Sequence, residues 1–222
     1  MRDKSNRYPA VAIFGGTYNP VHYGHLRSAL ELCAELELGE LRLMPCYRPV
    51  HRDEPNCSID QRLKMLDLAV NDEPTLSVDR REINRFGSSY TIDSLVDLRI
   101  EVGEHTALCM VVGSDAFAEL ETWHRWRELL NYAHIIVLAR PGYGGPASTC
   151  LKKWLGEVEV NNKDELFENI SGSVLMVQLT QLMISASTIR EQIKLGKSPR
   201  FLLPETVWQY ICEQNLYKVT EN

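Results

Sequence analysis

The chain of 222 residues lacks an excess of positive charge: 24 Lys and Arg stand against 30 Asp and Glu, a formal charge of −6. Nucleic-acid backbones are gripped by clustered cations, so a general DNA- or RNA-binding role is excluded. A small anionic ligand held in a local pocket is not. No apolar run approaches the ~20 residues needed to span a bilayer, and the longest, such as residues 135–139, are strand-sized. The opening MRDKSNRYPAVAIFGG has basic residues but too short an apolar stretch for a secretory signal. The six cysteines (Cys33, Cys46, Cys57, Cys109, Cys150 and Cys212) include no C-x-x-C pair. In a chain of this size that pattern points to free thiols in a reducing compartment, the cytoplasm. Repeats, low-complexity tracts and long linkers are absent too.

What is there is ordinary globular usage, 44% hydrophobic and 24% charged, enough to bury roughly 70% of the unfolded surface without staples. Short apolar runs alternate with helical periodicity. Residues 10–14 read as a buried strand ending at Gly15 and Gly16. Leu26, Ala29, Leu30, Cys33 and Leu36 are spaced for a helix over 23–36, with Gly39 closing it. A strand over 40–44 precedes a proline-containing loop over 45–57. Ser58 and Gln61 form a capping box for a helix to about Val70. Further strands are predicted over 76–79, 106–112, 133–139 and 174–179, with helices over 91–102, after Asp115, over 185–195 and over 205–215. This alternation implies an α/β fold with a doubly wound, mostly parallel sheet covered on both faces. Such sheets bind ligands beyond the carboxyl ends of their strands, where the informative residues fall.

The strongest signal is GGTYNPVHYGH, residues 15–25, between a buried strand and an amphipathic helix. Gly15 and Gly16 let backbone approach a ligand with no Cβ in the way. Thr17 adds a hydroxyl and Pro20 stiffens the loop. His22 and His25, three apart, share a face at the helix start, where free N–H groups and the dipole favour anions. Together these make a site suited to a polyphosphate. A zinc site is disfavoured, because no nearby Cys or carboxylate completes a ligand set. Near the other end lies ISASTIR, residues 184–190. Ser185 suits an N-cap, Ser187 and Thr188 add hydroxyls, and Arg190 reaches back toward the helix start.

GGTYNPVHYGH resembles the signature of the nucleotidylyltransferase superfamily, and ISASTIR its second motif, I-S-x-T/S-x-x-R. The superfamily implies a Rossmann-like fold with a small C-terminal helical part. Within it the chain looks like the bacterial nicotinate-nucleotide adenylyltransferase family from about residue 10 to 217. PVHR (49–52), SSYT (88–91), GSDAF (113–117), ETWHRWRELL (121–130), HIIVLARPGY (134–143) and FLLPETVWQYI (201–211) carry the likeness. Three departures stand out. Tyr18-Asn19 replaces the usual Phe-Asp. Cys46, Tyr47 and Arg48 stand where polar residues are common. His124 takes the place of an aromatic.

The resemblance implies transfer of the adenylyl group of ATP to nicotinate mononucleotide, giving nicotinate adenine dinucleotide and pyrophosphate in NAD biosynthesis. It assigns Gly15, Gly16 and Thr17 to the phosphates and His25 to the α-phosphate. His22, Ser185 and Arg190 go to the leaving pyrophosphate, with His25, His22 and Arg190 as the catalytic set, and Gly113 and Asp115 to the adenosine ribose. Trp123 would stack on the pyridine ring, and the backbone N–H groups of Tyr90 and Thr91 would meet the nicotinate carboxylate. His51, Arg52 and Arg140 would complete the mononucleotide pocket. Mg²⁺ is expected with ATP, held by phosphates and water rather than by protein ligands. The expected organisation is a disordered extension over 1–8, a nucleotide-binding α/β domain over 9–184, and a helical segment over 185–222 packed on it, in a monomer or homodimer.

Alternatives remain at this level. The acceptor could be nicotinamide mononucleotide or phosphopantetheine, or the fold could serve a non-catalytic nucleotide sensor. A dinucleotide fingerprint at Gly142, Gly144 and Ala147 is interrupted by Pro141 and Pro146. The Walker-like Gly196-Lys197-Ser198 ends a predicted helix instead of opening one.

Overall fold

A computed structural model describes residues 7–47, 57–85, 90–139 and 145–218. Seven strands form one sheet: β1 (Ala10–Gly16), β2 (Glu40–Pro45), β3 (Leu76–Val78), β4 (Ala107–Gly113), β5 (His134–Leu138), β6 (Glu159–Val160) and β7 (Val174–Val177). Their spatial order is β3-β2-β1-β4-β5-β7-β6 and every pairing is parallel. This is the expected doubly wound α/β sheet, with the topological switch between β1 and β4.

The faces are set by the two-residue period of a strand. Along β4, Ala107, Cys109 and Val111 join one core, while Leu108, Met110 and Val112 join the other. The first core is sealed by α1 (Tyr23–Leu36), α2 (Ile59–Val70), α8 (Ala186–Lys194) and α9 (Glu205–Glu213), through residues such as Leu32, Leu66, Ile189 and Val207. The second is sealed by α4 (Thr91–Val102), 3₁₀ turns at Leu120–Thr122 and Trp126–Asn131, and α6 (Thr149–Val158). The short helices α3 (Arg81–Asn84), α5 (Ser114–Ala118) and α7 (Lys163–Leu166) complete the chain. Each fully buried Leu or Ile contributes roughly 1.5–3 kcal/mol, so both layers are needed. The C-terminal helices share the first core with α1 and α2. At the other terminus the Tyr8 N–H donates to Phe167 O at 3.3 Å.

Three local expectations change. The strand predicted over 10–14 continues through the glycines, which pair with Met44 and Pro45 of β2. Helix α1 is closed by Glu37 in the left-handed region (φ 55°), its N–H returned to Cys33 O, and not by Gly39. Residues 149–160, for which no element was predicted, form α6 and the edge strand β6. The Ser58–Gln61 capping box forms as read, with both reciprocal bonds present.

Candidate active site

The GGTYNPVHYGH segment leaves the carboxyl end of β1 and enters α1 beside the switch point. Its two glycines do different work. A Cβ on Gly15 would meet nothing within 4 Å, so its bareness leaves the crevice open. A Cβ on Gly16 would sit 2.9 Å from the Tyr18 ring. That ring is 1% exposed, and its O–H donates to Phe14 O at 2.5 Å. Gly16 is therefore bare to seat Tyr18. Gly24 does the same for His22, whose ring atoms lie 2.9 Å from where a Cβ would stand.

His22 is the N-cap of α1 and makes no side-chain cap bond. Its ring stacks on His25, with centroids 3.8 Å apart and planes at 27°. Tyr18 closes edge-on over His25 at 5.0 Å. Burial pushes His22 down to about 4. Burial and the neighbouring His22 push His25 down to about 3. Both rings are thus neutral at pH 7. Both Nδ1 atoms are buried without a partner among the described residues. Orphaned buried N–H groups are rarer in native structures than under-satisfied acceptors, so we assign the proton to Nε2 in each ring. The pair therefore offers N–H donors and not the fixed charges that two imidazolium ions would give.

Asn19 anchors the loop. Its Oδ1 accepts from Tyr217 O–H at 2.6 Å and from Cys57 S–H at 2.9 Å. Its backbone oxygen accepts from Arg190 Nη1 at 2.7 Å. An amide oxygen meets both side-chain donors without burying a charge, which accounts for Asn at this position. Arg190 crosses from α8 to this loop instead of folding back on its own helix start, as the sequence had suggested. Ser185 caps α8 by accepting from Thr188 N–H at 3.1 Å, and its hydroxyl also meets those of Ser187 (3.0 Å) and Thr188 (2.7 Å). Ile184 O lies 3.4 Å from the Cβ position of Gly24. The two motifs, over 150 residues apart in sequence, form one site.

The next strand end is built similarly. Gly113 ends β4, and a Cβ there would lie 2.6 Å from Asp115 Oδ1. The glycine lets the exposed Asp115 carboxylate turn back over the mouth of the crevice. Further out, Tyr90 is the N-cap of α4 and Thr91 its first residue. A crossover helix runs against its strands, so this N-terminus faces the carboxyl edge. The Tyr90 ring lies 4.5 Å from that of His124, tilted by 37°, and the half-buried Trp123 packs on the second core. Tyr90, His124 and Trp123 therefore gather in one region. His51, Arg52 and Arg140 lie outside the described residues, as do Arg48 and the Gly142 and Gly144 of the dinucleotide fingerprint. Gly196 follows the end of α8 with φ 68°, so no helix opens after the Walker-like tripeptide.

Sequence reasoning missed Arg62, Cys57 and Tyr217. Arg62 carried a signal: it falls on the buried stripe of α2 with Met65 and Leu66. Among the described residues no group of three or more His, Cys, Asp or Glu could hold a metal ion, and no helix is long and apolar enough to cross a membrane.

The profile of the cytidylyltransferase-like family matches residues 13–192. A protein of Cellvibrio japonicus named "Probable nicotinate-nucleotide adenylyltransferase" is 46% identical over 95% of this chain and 99% of its own length. One of the same name from Hahella chejuensis is 45% identical over 93% and 95%. Among solved structures, Plasmodium falciparum nicotinic acid mononucleotide adenylyltransferase complexed with NaAD superposes with a TM-score of 0.71, covering 95% of this chain and 98% of that one. At 15% identity that likeness speaks for the fold. The chain belongs to the cytidylyltransferase-like family and, within it, to the nicotinate-nucleotide adenylyltransferases.

Proposed function

We propose that this chain is the enzyme that transfers the adenylyl group of ATP to nicotinate mononucleotide, releasing pyrophosphate and forming nicotinate adenine dinucleotide for NAD biosynthesis. The observation that carries the reading is the stacked His22–His25 pair beside the open Gly15, with Arg190 drawing the second motif onto the same loop. The 46% identity to a relative of that name over nearly the whole chain supports the same substrates.

The mononucleotide phosphate is already an anion at neutral pH, so its attack on the α-phosphorus needs no strong base. Catalysis then rests on alignment, which can supply ~7–11 kcal/mol, and on stabilising charge on the transferring group. His25 Nε2–H donates to the α-phosphate. His22, Ser185 and Arg190 hold the departing pyrophosphate. Backbone at Gly15, Gly16 and Thr17 lines the triphosphate path, and Gly113 with Asp115 meets the ribose. Trp123 stacks on the pyridine ring, a contact between flat surfaces that excludes water. The N–H groups of Tyr90 and Thr91 meet the nicotinate carboxylate, and His51, Arg52 and Arg140 complete that pocket. The donors around the loop are imidazoles, hydroxyls and backbone N–H groups, so Mg²⁺ enters as part of Mg-ATP, ligated by phosphate oxygens and water as this ion prefers. The six free thiols support a cytoplasmic setting, for a monomer or homodimer acting on small molecules alone.

Pyrophosphate release with Mg-ATP and a panel of acceptors tests the reading. Release is expected with nicotinate mononucleotide, more slowly with its amide, and not with phosphopantetheine. Release with phosphopantetheine alone would identify another acceptor. ATP binding without release from any acceptor would identify a sensor.

A further inference from the structure

The deepest charge near the site is not one of the motif residues. Arg62 of α2 is 0% exposed. Its Nη1 donates to Thr17 O at 2.9 Å, and its Nη2 donates to Cys46 O at 2.8 Å and Tyr47 O at 3.3 Å. Its Nε is buried without a partner, and among the described residues it pairs with no carboxylate. Burying a guanidinium this way is expensive, and a well-packed apolar side chain would serve folding better.

The peptide planes it fixes show what the cation does. Cys46 N–H donates to Gly16 O at 3.0 Å on the β2 side. In a trans peptide the C=O and N–H point opposite ways, so Thr17 N–H is turned away from β2, toward β4 across the crevice. Arg62 holds Thr17 O inward, so Tyr18 N–H is turned outward. Among the described residues neither N–H donates to a backbone or side-chain acceptor. A second guanidinium, Arg190, holds the Asn19 carbonyl on the far side of Tyr18.

We propose that Arg62 is a positioning residue for the transfer reaction. It ties the loop after β1 to the loop after β2 and, by holding their carbonyls, presents the Thr17 and Tyr18 N–H groups to the phosphates of the nucleotide. Its unpaired charge lies behind those donors and further favours an anion. This inference rests on the adenylyl-transfer reading above.

The test compares full-length wild type with R62K and R62M by melting temperature, affinity for a non-hydrolysable ATP analogue, and kcat and KM. Lysine keeps the charge but cannot bridge three carbonyls. R62K is expected to fold and to lose about 100-fold in kcat, the scale of a misplaced reacting group. It should bind the analogue about tenfold more weakly, with KM for nicotinate mononucleotide nearly unchanged. R62M should lose at least as much, and if it does not fold R62K alone decides. A folded R62K whose kcat and analogue affinity stay within about threefold of wild type would make Arg62 a purely structural residue and overturn the proposal. A wild type that binds the analogue but releases no pyrophosphate contradicts the transferase reading instead, and the R62K affinity still decides the role of Arg62.

Discussion

The neutral His22–His25 stack and the two glycines make separable demands on single residues. On the role proposed for His25, replacing it by Ala removes a donor to the transferring group, and kcat is expected to fall about 100-fold or more; turnover close to wild type would assign the charge stabilisation elsewhere. G15A and G16A should part company. A methyl on Gly15 enters open space, so the melting temperature should hold while KM for ATP rises about tenfold or more. A methyl on Gly16 strikes the Tyr18 ring and should lower the melting temperature first. Trp123→Ala should raise KM for nicotinate mononucleotide; a rise for ATP instead would remove Trp123 from the acceptor pocket. At this scale the sequence was informative about which residues matter and less so about how. The motif named the glycines and histidines, but nothing local to Gly16 announces that Tyr18 fills the space a Cβ would need. Nor does H-x-G-H itself say that the rings stack, since stacking follows from Gly24 clearing room for His22.

Elements behave as their patterns demand, with exceptions that have physical causes. Ser58 and Gln61 cap α2 reciprocally, and that helix carries Arg62 to the loop. Losing the cap by Ser58→Ala should cost ~1 kcal/mol of stability. The amphipathic helices and apolar strands were legible because each buries one stripe or a continuous run. The edge strand β6 has two residues, one of them exposed, and so carries no periodic signal. Glu37 closes α1 without glycine, a choice that capping chemistry would not suggest. The contacts between Asn19, Cys57 and Tyr217 join residues up to 198 apart and had no sequence signature at all.

For the molecule as a whole, the parallel order β3-β2-β1-β4-β5-β7-β6 places the ends of β1 and β4 side by side, so the loop after β1 and the Gly113–Asp115 turn converge without any special loop. The same burial that builds the site makes the fold acid-sensitive. His134, 0% exposed, donates from Nε2 to Asn169 O and accepts the Ser173 N–H at Nδ1, and burial lowers it to about 4. His22 and His25 are lowered to about 4 and about 3. Each value lies below the unfolded one near 6.5, so the unfolded chain binds protons first on acidification. Stability from these groups is complete above about pH 6.5 and declines as pH falls toward 4. The melting temperature should follow that profile. Constant stability from pH 7 to 4 would contradict the neutral buried rings. A bound triphosphate opposes the desolvation, so binding of an ATP analogue at pH 5.5 should take up protons, read by calorimetry in buffers of different ionisation enthalpy.

All of this converges on where an adenine nucleotide sits. A crystal structure with a non-hydrolysable ATP analogue is expected to place its α-phosphate within hydrogen-bonding distance of His25 Nε2. The β- and γ-phosphates should lie between His22, Ser185 and Arg190, with the chain passing over Gly15. Phosphates bound away from the β1–α1 loop, with His22 and His25 left facing solvent, would contradict the account.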